Sequence, residues 1–141
     1  NGVLIGGFNL LNKWMIRSEV RDALAKLYVR NLDTNIEEEL IITDEQVISP
    51  GASLMQKDRN TNKIYIAYQS PKTPGKAYIY NVLTKEKKLV KEEIVPSGHN
   101  PNDYVVQRLS CDSHDGKKIP LTITRHKKTK LDGTTNLLLS A

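Results

Sequence analysis

The chain is poor in the residues that staple, span or stack. Its 141 residues include one cysteine, Cys111, one tryptophan and one phenylalanine. A lone cysteine excludes an internal disulfide, so the fold must rest on packing. It is compatible with a reducing compartment, and a cytoplasmic location is the expectation. No window approaches the ~18 consecutive apolar residues of a membrane-spanning helix. The opening Asn1-Gly2-Val3-Leu4-Ile5 has no charged residue ahead of its apolar run, so a secretory signal is not expected there. No Gly-rich phosphate loop occurs. Asp33, Asp44 and Asp58 lack the spacing of a calcium loop.

What the chain does hold is Leu, Ile and Val with six tyrosines, a mix that favours strands over helices. It also repeats itself. Lys26-Leu27-Tyr28-Val29-Arg30-Asn31-Leu32-Asp33-Thr34 aligns with Lys76-Ala77-Tyr78-Ile79-Tyr80-Asn81-Val82-Leu83-Thr84, fifty residues on. The same offset pairs Asn12-Lys13 with Asn62-Lys63 and Ile16 with Ile66. A period of roughly 40–50 residues built from alternating segments is the signature of β-propeller blades. Each blade buries its faces against its neighbours, and two blades cannot close a ring. The chain is therefore expected to be a piece of something larger.

Local patterns place the strands. Trp14-Met15-Ile16 and its flanks read as one, and residues 24–30 alternate as another. The spacing of Val20, Ala23, Leu24 and Leu27 would also suit a helix over 19–28, but the repeat favours strand or loop. After the turn cluster 31–35, a strand is expected over 36–42, ending in Leu40-Ile41-Ile42. In the second copy, strands are expected over 64–68, 77–82 and 87–90. Pro50-Gly51 and residues 58–62 punctuate the join between copies. Residues 96–103 have linker composition. Tyr104 to Cys111 and Ile119 to Thr124 read as a hairpin around Asp115-Gly116, with Pro120 expected at an edge or a strand start. The apolar run Leu137-Leu138-Leu139 suits a strand buried on both faces.

Candidate chemistry is sparse. Ser113-His114-Asp115 supplies the residue types of a nucleophile, base and orienter, but consecutively, in a segment where neighbours point apart. Cys111 and His114 make half a zinc site with no second pair, since His99 and His126 lie elsewhere in the sequence. Glu37-Glu38-Glu39 reads as a solvated strand edge that discourages pairing. The net charge is +5, and Lys117, Lys118, Arg125, Lys127, Lys128 and Lys130 crowd residues 111–130 against Asp112 and Asp115. That stretch has no interleaved aromatics on which bases could stack. No catalytic, cofactor-binding or metal-binding residue is assigned, and no cofactor is expected.

Two further stretches carry a resemblance. Residues 96–109, Pro-Ser-Gly-His-Asn-Pro-Asn-Asp-Tyr-Val-Val-Gln-Arg-Leu, resemble the junction between propeller and catalytic domain in the prolyl oligopeptidase family, closest to its oligopeptidase B (protease II) subgroup. Residues 113–121 match that family's Asp-Gly-x-x-Val/Ile-Pro hairpin, and residues 131–139 resemble its next loop and first buried strand. The resemblance implies a seven-bladed propeller capping an α/β-hydrolase domain with a Ser-Asp-His triad. It implies cleavage of short peptides, in that subgroup after Lys or Arg. No triad residue carries over, because the chain contains no Gly-x-Ser-x-Gly elbow. Ser140-Ala141 stand where the family begins a Tyr-Gly-Tyr-Gly-like stretch.

The expected fold is therefore mainly antiparallel all-β. Residues 1–95 form the last propeller blades, 96–103 an interdomain linker, and 104–141 the first strands of a truncated hydrolase domain. The expected role is gate and scaffold of a serine oligopeptidase, with the missing catalytic domain as partner, oligopeptides as substrates, and neither nucleic acid nor membrane as partners. The alternatives are a freestanding β-rich interaction module and a basic nucleic-acid binder resting on residues 117–130.

Overall fold

The computed structural model describes residues 2–57 and 59–140. Asp58, weighed above as a calcium ligand, lies outside them, as do Asn1 and Ala141. Two antiparallel four-stranded sheets follow one another along the chain. The first is β1 (Val3–Leu11), β2 (Trp14–Arg21), β3 (Leu24–Asn31) and β4 (Glu37–Glu39); the second is β5 (Ser49–Ser53), β6 (Lys63–Gln69), β7 (Lys76–Asn81) and β8 (Lys87–Glu92). Each is a meander with its strands in sequence order. A short 3₁₀ turn, Pro101–Asp103, leads into a two-stranded hairpin of β9 (Tyr104–Asp112) and β10 (Lys118–His126).

The repeat has a physical cause in its Asn and Thr. The Asn31 side-chain oxygen accepts the N–H groups of Asp33 (2.9 Å) and Thr34 (3.1 Å), and that of Asn81 accepts those of Leu83 (3.0 Å) and Thr84 (3.4 Å). Thr34 and Thr84 accept in turn from Ile36 and Glu86. The left-handed residue needed to close each turn is Asn35 (φ 57°) or Lys85 (φ 63°). The recurring residues are the ones that build the turn from third to fourth strand.

The fifty-residue offset holds for the third and fourth strands only. Asn31 pairs with Trp14, whereas Asn81 pairs with Lys63, so the second strands are related by forty-nine. Backbone bonds agree: Leu32 donates to the Lys13 carbonyl (2.8 Å) and Val82 to that of Asn62 (2.9 Å). Ile16 and Ile66 are thus not counterparts. Ile66 takes the place of Arg17, and Tyr65 that of Ile16. The extra residue sits between the second and third strands. The first sheet turns there on Asp22 and Ala23, both at positive φ (50° and 57°). The second opens into a loop over 70–75. This strand–turn–strand also disposes of the helix over 19–28.

That shift is what makes a core. Ile16, Leu27 and Val29 share one face of the first sheet, and Ile64, Ile66 and Tyr68 share the opposite face of the second. The two faces merge into one cluster with Leu11, Leu40, Ile42 and Val82. Ile64 and Ile66 are fully enclosed. Polar ties cross the same seam: Asn9 Nδ2 to the Ala52 carbonyl (3.1 Å), Lys85 Nζ to Glu38 (2.8 Å), and Lys87 Nζ to the Ile42 carbonyl (2.6 Å).

The far face of the first sheet is ionic. Arg17 bonds Glu19 (2.6 Å) and Glu37 (2.5 Å) and lies 4.4 Å over the Tyr28 ring; Arg30 also reaches Glu37, and Lys26 reaches Glu39. The Arg17 guanidinium, with help from Arg30, holds the Glu37 carboxyl below the ordinary glutamate range.

Three expectations need correction. β4 stops at Glu39; Leu40 and Ile42 are buried, but as the connection that plugs the seam. Glu37, Glu38 and Glu39 do stand on an edge strand, with Glu38 and Glu39 exposed, and each is also ion-paired. Pro50-Gly51 lies inside β5, where Pro is tolerated because that strand is at the sheet edge. Leu137, Leu138 and Leu139 form no strand and are 82%, 93% and 79% exposed. No described strand lies beside them, and an apolar run becomes a buried strand only when neighbours pair with it. Pro120 stands opposite Ser110 in a strand paired on one side only, as its missing N–H requires.

If the Asn turns organise the sheets, Asn81→Ala should cost about 1 kcal/mol in urea unfolding, and Asn31→Ala about the same. A loss at one position and none at the other would contradict the equivalence.

Candidate functional site at the junction of sheets and hairpin

The linker expected over 96–103 is tied down at each step. Gly98 turns the chain at φ 79°, its N–H meeting the Val95 carbonyl at 3.1 Å. Asn100 caps the 3₁₀ turn by accepting from Asn102 N–H (3.1 Å). Between them, His99 Nε2 lies 2.6 Å from the Lys72 carbonyl. A carbonyl oxygen can only accept, so that nitrogen carries the proton. The His99 ring stacks on Tyr104 at 5.0 Å, and Tyr104 meets His126 edge-on at 5.4 Å. Edge and offset contacts of this kind suit the ring quadrupole.

The hairpin is held at a second point. Arg108 donates through Nη2 to the Asp22 carbonyl and through Nη1 to Thr122 Oγ1 (3.2 Å). Asp22 and Lys72 both belong to connections between second and third strands. The hairpin therefore docks on the same end of both sheets. A cleft of about 280 Å³ remains there, lined by Glu45, Gln46, Val47, Lys72, Tyr104 and Lys127. Glu45 fixes its wall by accepting from Ser70 Oγ and Thr73 Oγ1, each at 2.6 Å.

The residues weighed from sequence are spread apart. His99 and His126 lie at the base of the hairpin, whereas Ser113, His114 and Asp115 form its exposed tip. At this tip Ser113 Oγ lies 3.4 Å from His114 Nδ1. Asp115 turns to Lys117 instead, by an ion pair of 2.9 Å and a backbone bond of 3.2 Å. Lys117 holds its carboxyl below the usual range. The order of contacts is thus not that of a base oriented by a carboxylate. Cys111 is exposed in β9. Among the described residues no three His, Cys, Asp or Glu side chains converge. Asp33 pairs with Lys13 (2.6 Å), and Asp44 takes a bond from Thr43 (3.3 Å). Of the basic stretch, Lys118 pairs with Asp112 (2.7 Å).

Sequence reasoning passed over both anchors, His99 to Lys72 and Arg108 to Asp22. Their acceptors are backbone carbonyls, which every residue has, so no residue type could mark them.

This architecture, consecutive four-stranded meanders stacked face to face with a hairpin across one end, has known counterparts. No family model matches the chain. Dipeptidyl aminopeptidase BI of Pseudoxanthomonas mexicana is 31% identical over 137 residues, 96% of this chain and 18% of that protein. Prolyl oligopeptidase A of Amanita bisporigera is 41% identical over 64 residues, 44% of this chain and 8% of that one. The solved structure of oligopeptidase B from Trypanosoma brucei with covalently bound antipain superposes with a TM-score of 0.79 at 27% identity, covering 92% of this chain and 19% of that one. The chain spans less than a fifth of the length of each. Its sheets are propeller blades. It is homologous to one stretch of the oligopeptidase B and prolyl oligopeptidase family of peptidases.

Arg108→Ala should speed hydrogen exchange in β9 and β10 while leaving the central strands of both sheets unchanged. Equal acceleration everywhere would show that the hairpin is not a separately anchored unit.

Proposed function

We propose that this chain is the part of a serine oligopeptidase that carries its last two propeller blades, the crossing between domains, and the first strands of the hydrolase domain. In that reading residues 1–95 belong to the propeller, 96–103 to the crossing and 104–141 to the hydrolase domain. The blades act as gate and scaffold, limiting access to short peptides. Chemistry is left to a catalytic domain whose nucleophile, base and acid are not in these residues. Cleavage after Lys or Arg is the specificity suggested by the oligopeptidase B likeness.

One observation carries the reading. The similarity to dipeptidyl aminopeptidase BI extends over 137 residues, 96% of the chain, and so takes in both blades, the linker and the hairpin. A generic propeller would share the blades and lose the hairpin. The docking of that hairpin on one end of both sheets supports the same assignment, because it is how a domain following the propeller would be seated on it.

Two results are expected. The purified 141-residue chain should not hydrolyse Arg- or Lys-linked fluorogenic peptides. The coding sequence following Ala141 should contain a Gly-x-Ser-x-Gly elbow within about 100 residues, in a strand–turn–helix context. Turnover abolished by a serine-directed inhibitor in the 141-residue chain alone would overturn the assignment of its role.

A further inference from the structure

The two points that hold the hairpin are built differently. In the first sheet the carbonyl that meets Arg108 belongs to Asp22. It sits in a two-residue turn fixed by its own backbone, with Asp22 and Ala23 both at positive φ. In the second sheet the carbonyl that meets His99 belongs to Lys72, inside the loop over 70–75, Ser-Pro-Lys-Thr-Pro-Gly. Pro71 and Pro74 have no N–H to give, so this loop has few backbone donors with which to hold itself.

The loop closes on one side chain. Ser70 Oγ accepts the N–H groups of Lys72 (3.2 Å) and Thr73 (2.8 Å), and the Ser70 N–H reaches the Thr73 carbonyl (3.0 Å). A hydroxyl has two lone pairs and one proton. With both lone pairs taken, the Ser70 proton goes to Glu45 Oε2 at 2.6 Å. Thr73, only 5% exposed, gives its proton to the other oxygen, Oε1, also at 2.6 Å. Glu45 thus sets the direction of both hydroxyls, and through them the placing of the Lys72 carbonyl. Glu45 is itself carried by the connection between the sheets, between Ile42, buried in the seam, and Ile48, packed against it. A continuous series of contacts therefore runs from the seam through Glu45, the loop and His99 to Tyr104 at the base of the hairpin.

We propose that Glu45 is a positioning residue that makes the base of the hairpin a latch: Lys72 holds His99 only while Glu45 holds Ser70 and Thr73, and the Arg108 anchor stands independently of it. Such coupling is reciprocal. Loosening the connection between the sheets frees the base of the hairpin, and freeing the base loosens that connection. The inference rests on contacts within the chain and not on the peptidase reading.

Native-state hydrogen exchange of the intact chain tests it, read at the amides of residues 104–106 and 124–127 at the hairpin base. Glu45→Ala and His99→Ala should each speed that exchange about tenfold, because each opens the same latch. Their double variant should exchange no faster than either alone, the mark of two residues on one path. Arg108→Ala added to Glu45→Ala should instead multiply the two effects. Glu45→Gln, which keeps an acceptor of the same reach, should retain most of the protection. Thr73→Val keeps the buried shape and deletes the hydroxyl, so it should speed the same amides about threefold; it carries the test if Glu45→Ala does not fold. Glu45 and His99 effects that multiply would overturn the proposal. So would a folded Glu45→Ala or Thr73→Val chain whose hairpin base exchanges like wild type, or acceleration spread evenly through β2, β3, β6 and β7.

Discussion

The structure depends on one apolar seam, where Ile16, Leu27 and Val29 meet Ile64, Ile66 and Tyr68. A meander needs an apolar face for stability, and that face must be buried against another element. Burying one isoleucine fully is worth about 1.5–3 kcal/mol, and Ile64 and Ile66 are both fully enclosed at this seam. Everything else is arranged around it. The connection through Leu40 and Ile42 plugs it, Lys85 and Lys87 clip it, and the hairpin bridges the end where both sheets are already aligned.

The two outer faces answer the same geometry with different chemistry. The first sheet covers its outer face with Arg17, Arg30, Lys26 and three glutamates, a network that is internally paired and stable beside water. The second leaves small residues and a hollow. A pair of blades with unlike outer faces stacks in one order only, which is what a propeller needs if its blades are to assemble in sequence. The hairpin adds direction along the other axis, since Arg108 and His99 grip only the end formed by connections between second and third strands.

Much of this was legible in the sequence, for reasons that can be named. The repeat marked the third and fourth strands because Asn31, Thr34, Asn81 and Thr84 build turns by local hydrogen bonds, and local bonds leave a fixed pattern. The Asp115-Gly116 hairpin was legible on the same ground. The first strands were not: β1 begins in an exposed apolar run, and β5 contains Pro50-Gly51, which usually breaks strands. The shift from fifty to forty-nine was hidden by the coincidence of Ile16 and Ile66, two residues that meet across the seam from opposite faces. The apolar run at 137–139 was misread because its burial depends on strands that the described residues do not supply. The anchors of the hairpin use backbone carbonyls and left no trace.

The likeness to oligopeptidase B and to dipeptidyl aminopeptidase BI gives the two stacked sheets a common setting, that of propeller blades. The central claim is that the two sheets are one cooperative unit held by their shared seam. Ile66→Ala tests it most directly, with native-state hydrogen exchange read strand by strand. Stability should fall by about 2–5 kcal/mol, and exchange should rise together in β2, β3, β6 and β7. A rise confined to β6 and β7, with the first sheet unaffected, would contradict it.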